Sequence, residues 1–203
     1  MKSTKLVLVA LALALVATSA SALELDKKLS VAPVEAKTNF AKIEYAFRDY
    51  DGNAANKNGF NLTVGGVVAP GIALDLKTEF RLTNGSETIS NRVEAGATYD
   101  IGTYRDVKFA VRGGLGEKFT NGDNFTYYSI EPSASYAIND DVTVTTSYRF
   151  RDAFNNARAE ETHQVKVGGA YKLTENTALV ASIGRSWGDV QYNSVNVGYR
   201  IKF

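Results

Sequence analysis

The stretch IALDLKTEFRL, residues 72–82, sorts its side chains by alternate position: Ile72, Leu74, Leu76, Phe80 and Leu82 share one face, and Asp75, Lys77, Glu79 and Arg81 share the other. A period of two belongs to an extended strand, whose successive side chains point to opposite sides, and not to a helix with its period of 3.6. One face is apolar except for Thr78 and the other charged except for Ala73, so the two sides of this strand need different media.

The same dyad recurs along the chain: Ile43, Tyr45 and Phe47; Phe60, Leu62 and Val64; Val93, Ala95, Ala97, Tyr99 and Ile101; Val107, Phe109, Val111 and Leu115. It continues through Tyr128, Ile130, Ala134 and Tyr136; Val142, Val144, Tyr148 and Phe150; Val165, Val167, Tyr171 and Leu173; Leu179, Ala181 and Ile183; and Val195, Val197, Tyr199, Ile201 and Phe203. That reads as ten strands, each near the ~9–11 residues that a tilted strand needs to cross a bilayer. Eight or twelve are the neighbouring counts.

The connectors alternate too. APG, GTYRD, INDD and LTENT are short, whereas DYDGNAANKNG, TNGSETISN, EKFTNGDN and RDAFNNARAEE are longer and polar, and WGDVQYN precedes the last strand. Short turns at one end and long loops at the other are the pattern of an up-and-down barrel in an outer membrane, with the short turns in the periplasm. Aromatic side chains fall near both ends of the strands. Phe47, Tyr50, Phe60, Phe80, Phe125, Tyr128, Phe150, Trp187 and Tyr192 are expected at the outer belt, and Tyr99, Tyr104, Tyr136, Tyr171 and Phe203 at the inner one. A secreted soluble β-sandwich or barrel would also alternate. It would have to hold all these Tyr, Phe and Leu side chains inside, and a closed sheet of this size has little room for them.

The N-terminus agrees with export. Lys2 and Lys5 precede the apolar run LVLVALALALVA and then ATSASA, whose Ala20 and Ala22 suit cleavage after residue 22. Residues 1–22 therefore read as a signal peptide, residues 23–39 as a periplasmic segment or a lumen plug, and residues 40–203 as the barrel domain. The chain has no cysteine, hence neither disulfides nor a lipoprotein anchor, and its formal net charge of +1 names no partner.

The last eight residues, NVGYRIKF, resemble the carboxy-terminal assembly signal of Gram-negative outer-membrane β-barrel proteins, with Asn196 as the polar member, Gly198 the glycine, Ile201 the hydrophobic residue and Phe203 the terminal aromatic. The resemblance implies two partners, outer-membrane lipids and the β-barrel assembly machinery, and implies closure of the last strand against the first. Within that group, KIEYAFRDYDG and TTSYRFRDAF look like strands of the small porins of the oligogalacturonate type. Those channels line a narrow lumen with basic side chains, although their barrels have twelve strands.

Turning the polar faces inward places Lys42, Arg48, Lys77, Arg81, Arg92, Lys108, Arg112, Arg149, Arg151, Lys166, Lys172, Arg185, Arg200 and Lys202 in the lumen, against Glu44, Asp75, Glu79, Glu94, Asp100 and Glu131. A basic interior favours small anionic solutes, so the leading expectation is a small, anion-preferring diffusion channel. The alternative is a closed barrel with a structural or surface-interaction role, its lumen filled by cross-strand ion pairs. Gly65, Gly96, Gly114, Gly116, Gly168 and Gly198 either leave space in that lumen or mark bends.

No enzyme is expected. The single His163 has Ser129, Ser147, Asp152 and Glu160 as conceivable partners, but no nucleophile motif surrounds it. DYDGN, with Asp49, Asp51 and Asn53, departs from a calcium loop at Ala54. No cofactor, metal or nucleic-acid partner is called for.

Overall fold

The computed structural model describes residues 39–52, 55–83, 89–120, 124–155 and 160–203. The signal peptide expected at 1–22 and residues 23–38 lie outside the described residues. Ten strands follow in order: β1 (Asn39–Tyr50), β2 (Lys57–Ala69), β3 (Ile72–Thr83), β4 (Ile89–Tyr104), β5 (Val107–Phe119), β6 (Phe125–Ala137), β7 (Val142–Ala153), β8 (Thr162–Lys172), β9 (Thr177–Gly188) and β10 (Tyr192–Lys202). Each pairs antiparallel with its neighbours in sequence, and β1 pairs with β10, so the sheet is a closed barrel.

The closing seam runs from Phe40 opposite Lys202 to Tyr50 opposite Tyr192. At its end Asn39 and Phe203 exchange both backbone hydrogen bonds, at 3.1 and 3.0 Å. Gly198 lies opposite Glu44 in this seam. A Cβ there would stand 1.9 Å from the carbonyl oxygen of Ile43, so the glycine is what lets the two strands approach.

The turns at the short-loop end are chemically suited to tight reversal. Pro70 precedes Gly71, which has φ of 70°, as a type II turn needs at its third position. Arg105 and Asp106 both hold positive φ, 46° and 67°, the conformation of a two-residue hairpin turn of type I′. Register shifts between Val67 and Ala69 and between Asp100 and Gly102 mark bulges near these turns. The second interrupts the alternation of β4 at Ile101.

Burial is inverted relative to a soluble domain. Ile43, Leu62, Leu74, Val167, Ile183 and Val197 are 45–63% exposed on the outside of the wall, while Glu44, Asn61, Glu79, Glu94, Arg149 and Ser194 are at most 8% exposed inside it. Such an apolar exterior is stable only against lipid.

The outer aromatic girdle is continuous over β6 to β9. Tyr128 contacts Phe150 and Phe154 at centroid distances of 6.0 and 5.3 Å, Phe150 contacts His163 at 5.3 Å, and His163 stacks on Trp187 at 5.7 Å. Three aromatics expected in this belt face inward instead. Tyr50 and Tyr192 pair across the seam on the face of Arg48, and Phe125 lies beside Lys118 on the face of Tyr127. Alternation counted from Tyr128 and from Val195 already excludes Phe125 and Tyr192 from the lipid face; height along the strand, without parity, does not fix the belt.

Replacing Gly198 with Val should prevent seam closure, destabilising the barrel by about 3 kcal/mol or more. The outward Gly113, around which an added Cβ meets nothing within 4 Å, should accept Ala with a change of roughly 0.5 kcal/mol or less. Loss of the heat-modifiable folded band for G198V but not G113A checks this.

Candidate lumen and its charge network

The register puts Lys42, Arg48, Lys77, Arg81, Arg92, Lys108, Arg112, Arg149, Lys166 and Arg200 on the inward face, together with Arg151, Lys172 and Lys202. Arg185 is the exception. It shares the outward face with its cross-strand neighbours Val165 and Asn193, and its Nη1 donates to Asp51 Oδ1 at 2.7 Å on the surface. The parity of β9, set by Leu179, Ala181 and Ile183, places residue 185 with the lipid-facing set. That interaction also engages a carboxylate of the DYDGN stretch.

In the outer half of the barrel, charge gathers on two carboxylates. Glu79 lies within ion-pair distance of Arg48 (2.8 Å), Lys77 (3.2 Å), Arg92 (3.5 Å), Arg81 (3.6 Å) and Arg149 (4.0 Å). Glu160, fully buried, accepts from Arg92 at 2.6 Å, Lys118 at 2.7 Å and Arg151 at 3.3 Å. Arg92 bridges the two centres. Neutral groups complete the packing: Arg48 lies 4.8 Å over the ring of Tyr192, Arg151 lies 5.2 Å over Tyr127, and Arg149 donates to Gln164 at 2.8 Å.

Midway down the wall, Arg112 makes a fork onto Asp75, with Nε to Oδ2 at 2.8 Å and Nη2 to Oδ1 at 2.6 Å, and its Nη1 donates to Glu94. Lys166 pairs with Glu131 at 3.3 Å, Ser147 donates to the same carboxylate at 2.7 Å, and Lys42 pairs with Glu44 at 3.0 Å. Lys108 meets Asp100 at 2.8 Å. The glycines at this level make room for side chains. A Cβ at Gly96 would come within 2.1 Å of Arg112 Nη2, and one at Gly116 within 2.5 Å of the Tyr127 ring. Space that glycine leaves in the sequence is therefore filled in the fold.

Toward the short-turn end Lys108 and Asp100 carry the network to the β4–β5 turn, but on the side of β7 to β10 it stops among the described residues. A cavity of about 470 Å³ opens between β7, β8, β9 and β10, with Thr143, Ala170 and Ala178 on its walls and Lys172, Arg200 and Lys202 beside them. Small side chains on three neighbouring strands leave this volume unfilled.

Three lumen residues lie outside the sequence-based assignment for identifiable reasons. Lys118, which pairs with Glu160, falls in the stretch EKFTNGDN that reads as a loop. Glu160 belongs to the connection before β8, outside any alternating run, where the sequence offers it only as a partner for His163. Tyr127 is masked by its neighbour Tyr128, which has the lipid-facing parity; the register of β6, with Tyr128 opposite Leu115 and Tyr127 opposite Gly116, shows which of the two points in. His163 itself lies on the outer face, where Tyr148 Oη and His163 Nδ1 are 2.6 Å apart. Ser129, Ser147 and Glu160 are inside the barrel, so the wall separates them from the imidazole.

A closed barrel with an apolar outside, aromatic girdles and a charged interior defines an outer-membrane β-barrel protein. Residues 41–190 match the Gram-negative porin family, and the chain belongs to that family of outer-membrane channels. No curated protein matches it in sequence. Among solved structures, an outer-membrane channel from Pseudomonas putida F1 is similar over 87% of this chain and all of that one, at 10% identity and TM-score 0.50. The translocator domain of the autotransporter NalP from Neisseria meningitidis aligns over 85% and 91% of the two chains, at 9% identity and TM-score 0.50. The KdgM porin aligns over 80% of this chain and 99% of that one, at 15% identity and TM-score 0.46. These likenesses are of fold alone.

Glu79 is the more sensitive centre. Replacement by Gln removes the shared partner of five buried cations and should destabilise the folded barrel by about 3–5 kcal/mol in denaturant unfolding from lipid. Glu160 predicts a pH dependence. Burial alone would raise its pKa, but Arg92, Arg151 and Lys118 outweigh this and hold it at about 2, against 4.5 for an ordinary glutamate. Its contribution to stability should be complete above pH 4.5 and fall away as pH drops toward 2, because the unfolded chain takes up the proton first. Unfolding of E160Q should lack that part of the pH profile.

Proposed function

We propose that the protein is a narrow diffusion channel that prefers small anionic solutes. The observation that carries this reading is the imbalance at the constriction, where, among the described residues, the seven cations Arg48, Lys77, Arg81, Arg92, Lys118, Arg149 and Arg151 share ion pairs with two carboxylates, Glu79 and Glu160, and meet Glu94 and Glu131 at longer range from the level below. Two carboxylates neutralise part of that charge. The remainder acts inside low-dielectric walls, where a cluster of one sign raises the local concentration of counter-ions and excludes like charge.

The cations do not have one role. Arg112 is the ion-pair partner of both Asp75 and Glu94, so removing it strands two carboxylates and should weaken the fold. Arg149 is one of five cations around Glu79, so its loss leaves four in place. Arg149→Gln is therefore the informative variant for selectivity, and Arg112→Gln the control for stability.

A second reading rests on packing. Arg48, Glu79, Arg81, Arg149, Arg151 and Glu160 are each at most 5% exposed, as expected if the lumen is a polar core and the barrel serves a structural or surface-interaction role. Single-channel recording of the refolded protein across a salt gradient separates the two. The channel reading expects discrete conductance steps, an anion-selective reversal potential, and a permeability ratio lowered roughly twofold or more in R149Q, as a kT-scale change in local potential would produce. Silence from inserted, folded protein supports the closed barrel.

A further inference from the structure

The cavity at the short-turn end has a feature that the constriction lacks. Lys172, Arg200 and Lys202 line it, and so do Asp140, Asp141 and Glu175 from the two adjoining turns. Among the described residues, none of these six charged groups forms an ion pair with another group. Arg200 Nε is buried without a hydrogen-bond partner. Elsewhere in the lumen, opposite charges have closed onto each other at 2.6–3.6 Å in most pairs.

The two sets of charges come from different elements. Lys172, Arg200 and Lys202 project from β8 and β10, whereas Asp140 and Asp141 sit in the turn between β6 and β7, and Glu175 in the turn between β8 and β9. Those turns are held by their own hydrogen bonds. Asn139 Oδ1 accepts from the amides of Asp141 and Val142 at 3.0 and 2.8 Å, and Leu173 and Thr174 donate backbone bonds to Thr177 at 2.9 and 3.1 Å. The acidic side chains thus stand on the turns and the basic ones on the strands, and both sets line the volume beside Ala170 and Ala178.

We infer that this cavity binds small zwitterions, a free amino acid or a short peptide with both termini free, with the carboxylate against Arg200, Lys172 and Lys202 and the ammonium group against Asp140, Asp141 and Glu175. Its volume of about 470 Å³ lies within the ~300–1,000 Å³ of small-molecule sites. A simple anion would satisfy the wall and be repelled by the rim, and a simple cation the reverse. Only a ligand carrying both charges complements both poles, which makes this a site of different specificity from the constriction above it.

The test is titration calorimetry on the refolded full chain in detergent micelles, with trialanine as the probe. N-acetyltrialanine, which keeps only the carboxylate, and trialanine amide, which keeps only the ammonium, are the comparisons. Trialanine should bind, each blocked form about tenfold more weakly, and R200Q and E175Q should each weaken trialanine by about tenfold. Because Arg200 lies opposite Lys42 in the closing seam, the exposed Lys172→Gln variant is measured as well, and it should weaken binding with folding unchanged. Equal affinity for trialanine and its acetylated form would overturn the proposal, since the rim would then play no part. So would the absence of heat with folded protein, or binding that R200Q and K172Q both leave intact. The readout needs no conduction, so a barrel silent in bilayers can still pass this test, and a conducting one can fail it.

Discussion

Every part of this structure depends on the pairing of β1 with β10. A strand edge in hydrocarbon leaves a row of amide and carbonyl groups with no water to bond, and each such group is costly to bury unpaired. Closure from Asn39–Phe203 to Tyr50–Tyr192 removes the edge along the whole height of the wall. Once the sheet is closed, alternation has only two destinations, lipid and lumen. Apolar members of the dyads such as Ile43, Leu62, Leu74, Val167, Ile183 and Val197 can then lie 45–63% exposed without penalty.

Closure at ten strands also sets how much space the charged face has. A barrel slightly wider than the eight-stranded ones that fill themselves with side chains brings opposite walls within reach of long side chains. Arg48 of β1 and Arg149 of β7 therefore meet on Glu79 of β3, and Arg92 of β4 reaches Glu160 from the connection before β8. Ion pairs so enclosed require mutual satisfaction, since stranding one member is more damaging than never having had the pair. The outer half meets this demand with two shared carboxylates and the middle with the Arg112 fork. At the short-turn end the walls carry Thr143, Ala170 and Ala178, nothing spans the gap, and a cavity remains.

Most of the fold was legible because its signal is local. IALDLKTEFRL states its two faces without reference to any other strand, and nine more segments do the same. The glycine in NVGYRIKF has a visible partner in the fold, the Ile43 carbonyl pressed against it. Parity, not height along the strand, decides the face, and a connector has no parity to read. Tyr50, Tyr192 and Phe125 lie near strand ends, where height suggests a location that the side-chain period contradicts, and the charge of Arg185 suggests the lumen where its parity, that of Leu179, Ala181 and Ile183, gives the outer face. Glu160 lies in a connector, where there is no period to read.

The sequence by itself determined the strand class, the lipid-facing set, the membrane and the basic side chains of the polar face, because each follows from spacing of two along one strand or from composition, whereas closure at ten strands, with eight and twelve as neighbouring counts, was decided in the fold. Only the tertiary structure decided which charges meet. Contacts such as Arg48 with Glu79, Arg92 with Glu160 and Arg112 with Asp75 cross between strands far apart in sequence. They depend on register and barrel diameter, which are collective properties of ten strands closing at once. The same applies to the charges around the cavity of β7 to β10: the residues are in the sequence, but only the fold brings the turn carboxylates and the strand cations to line one volume.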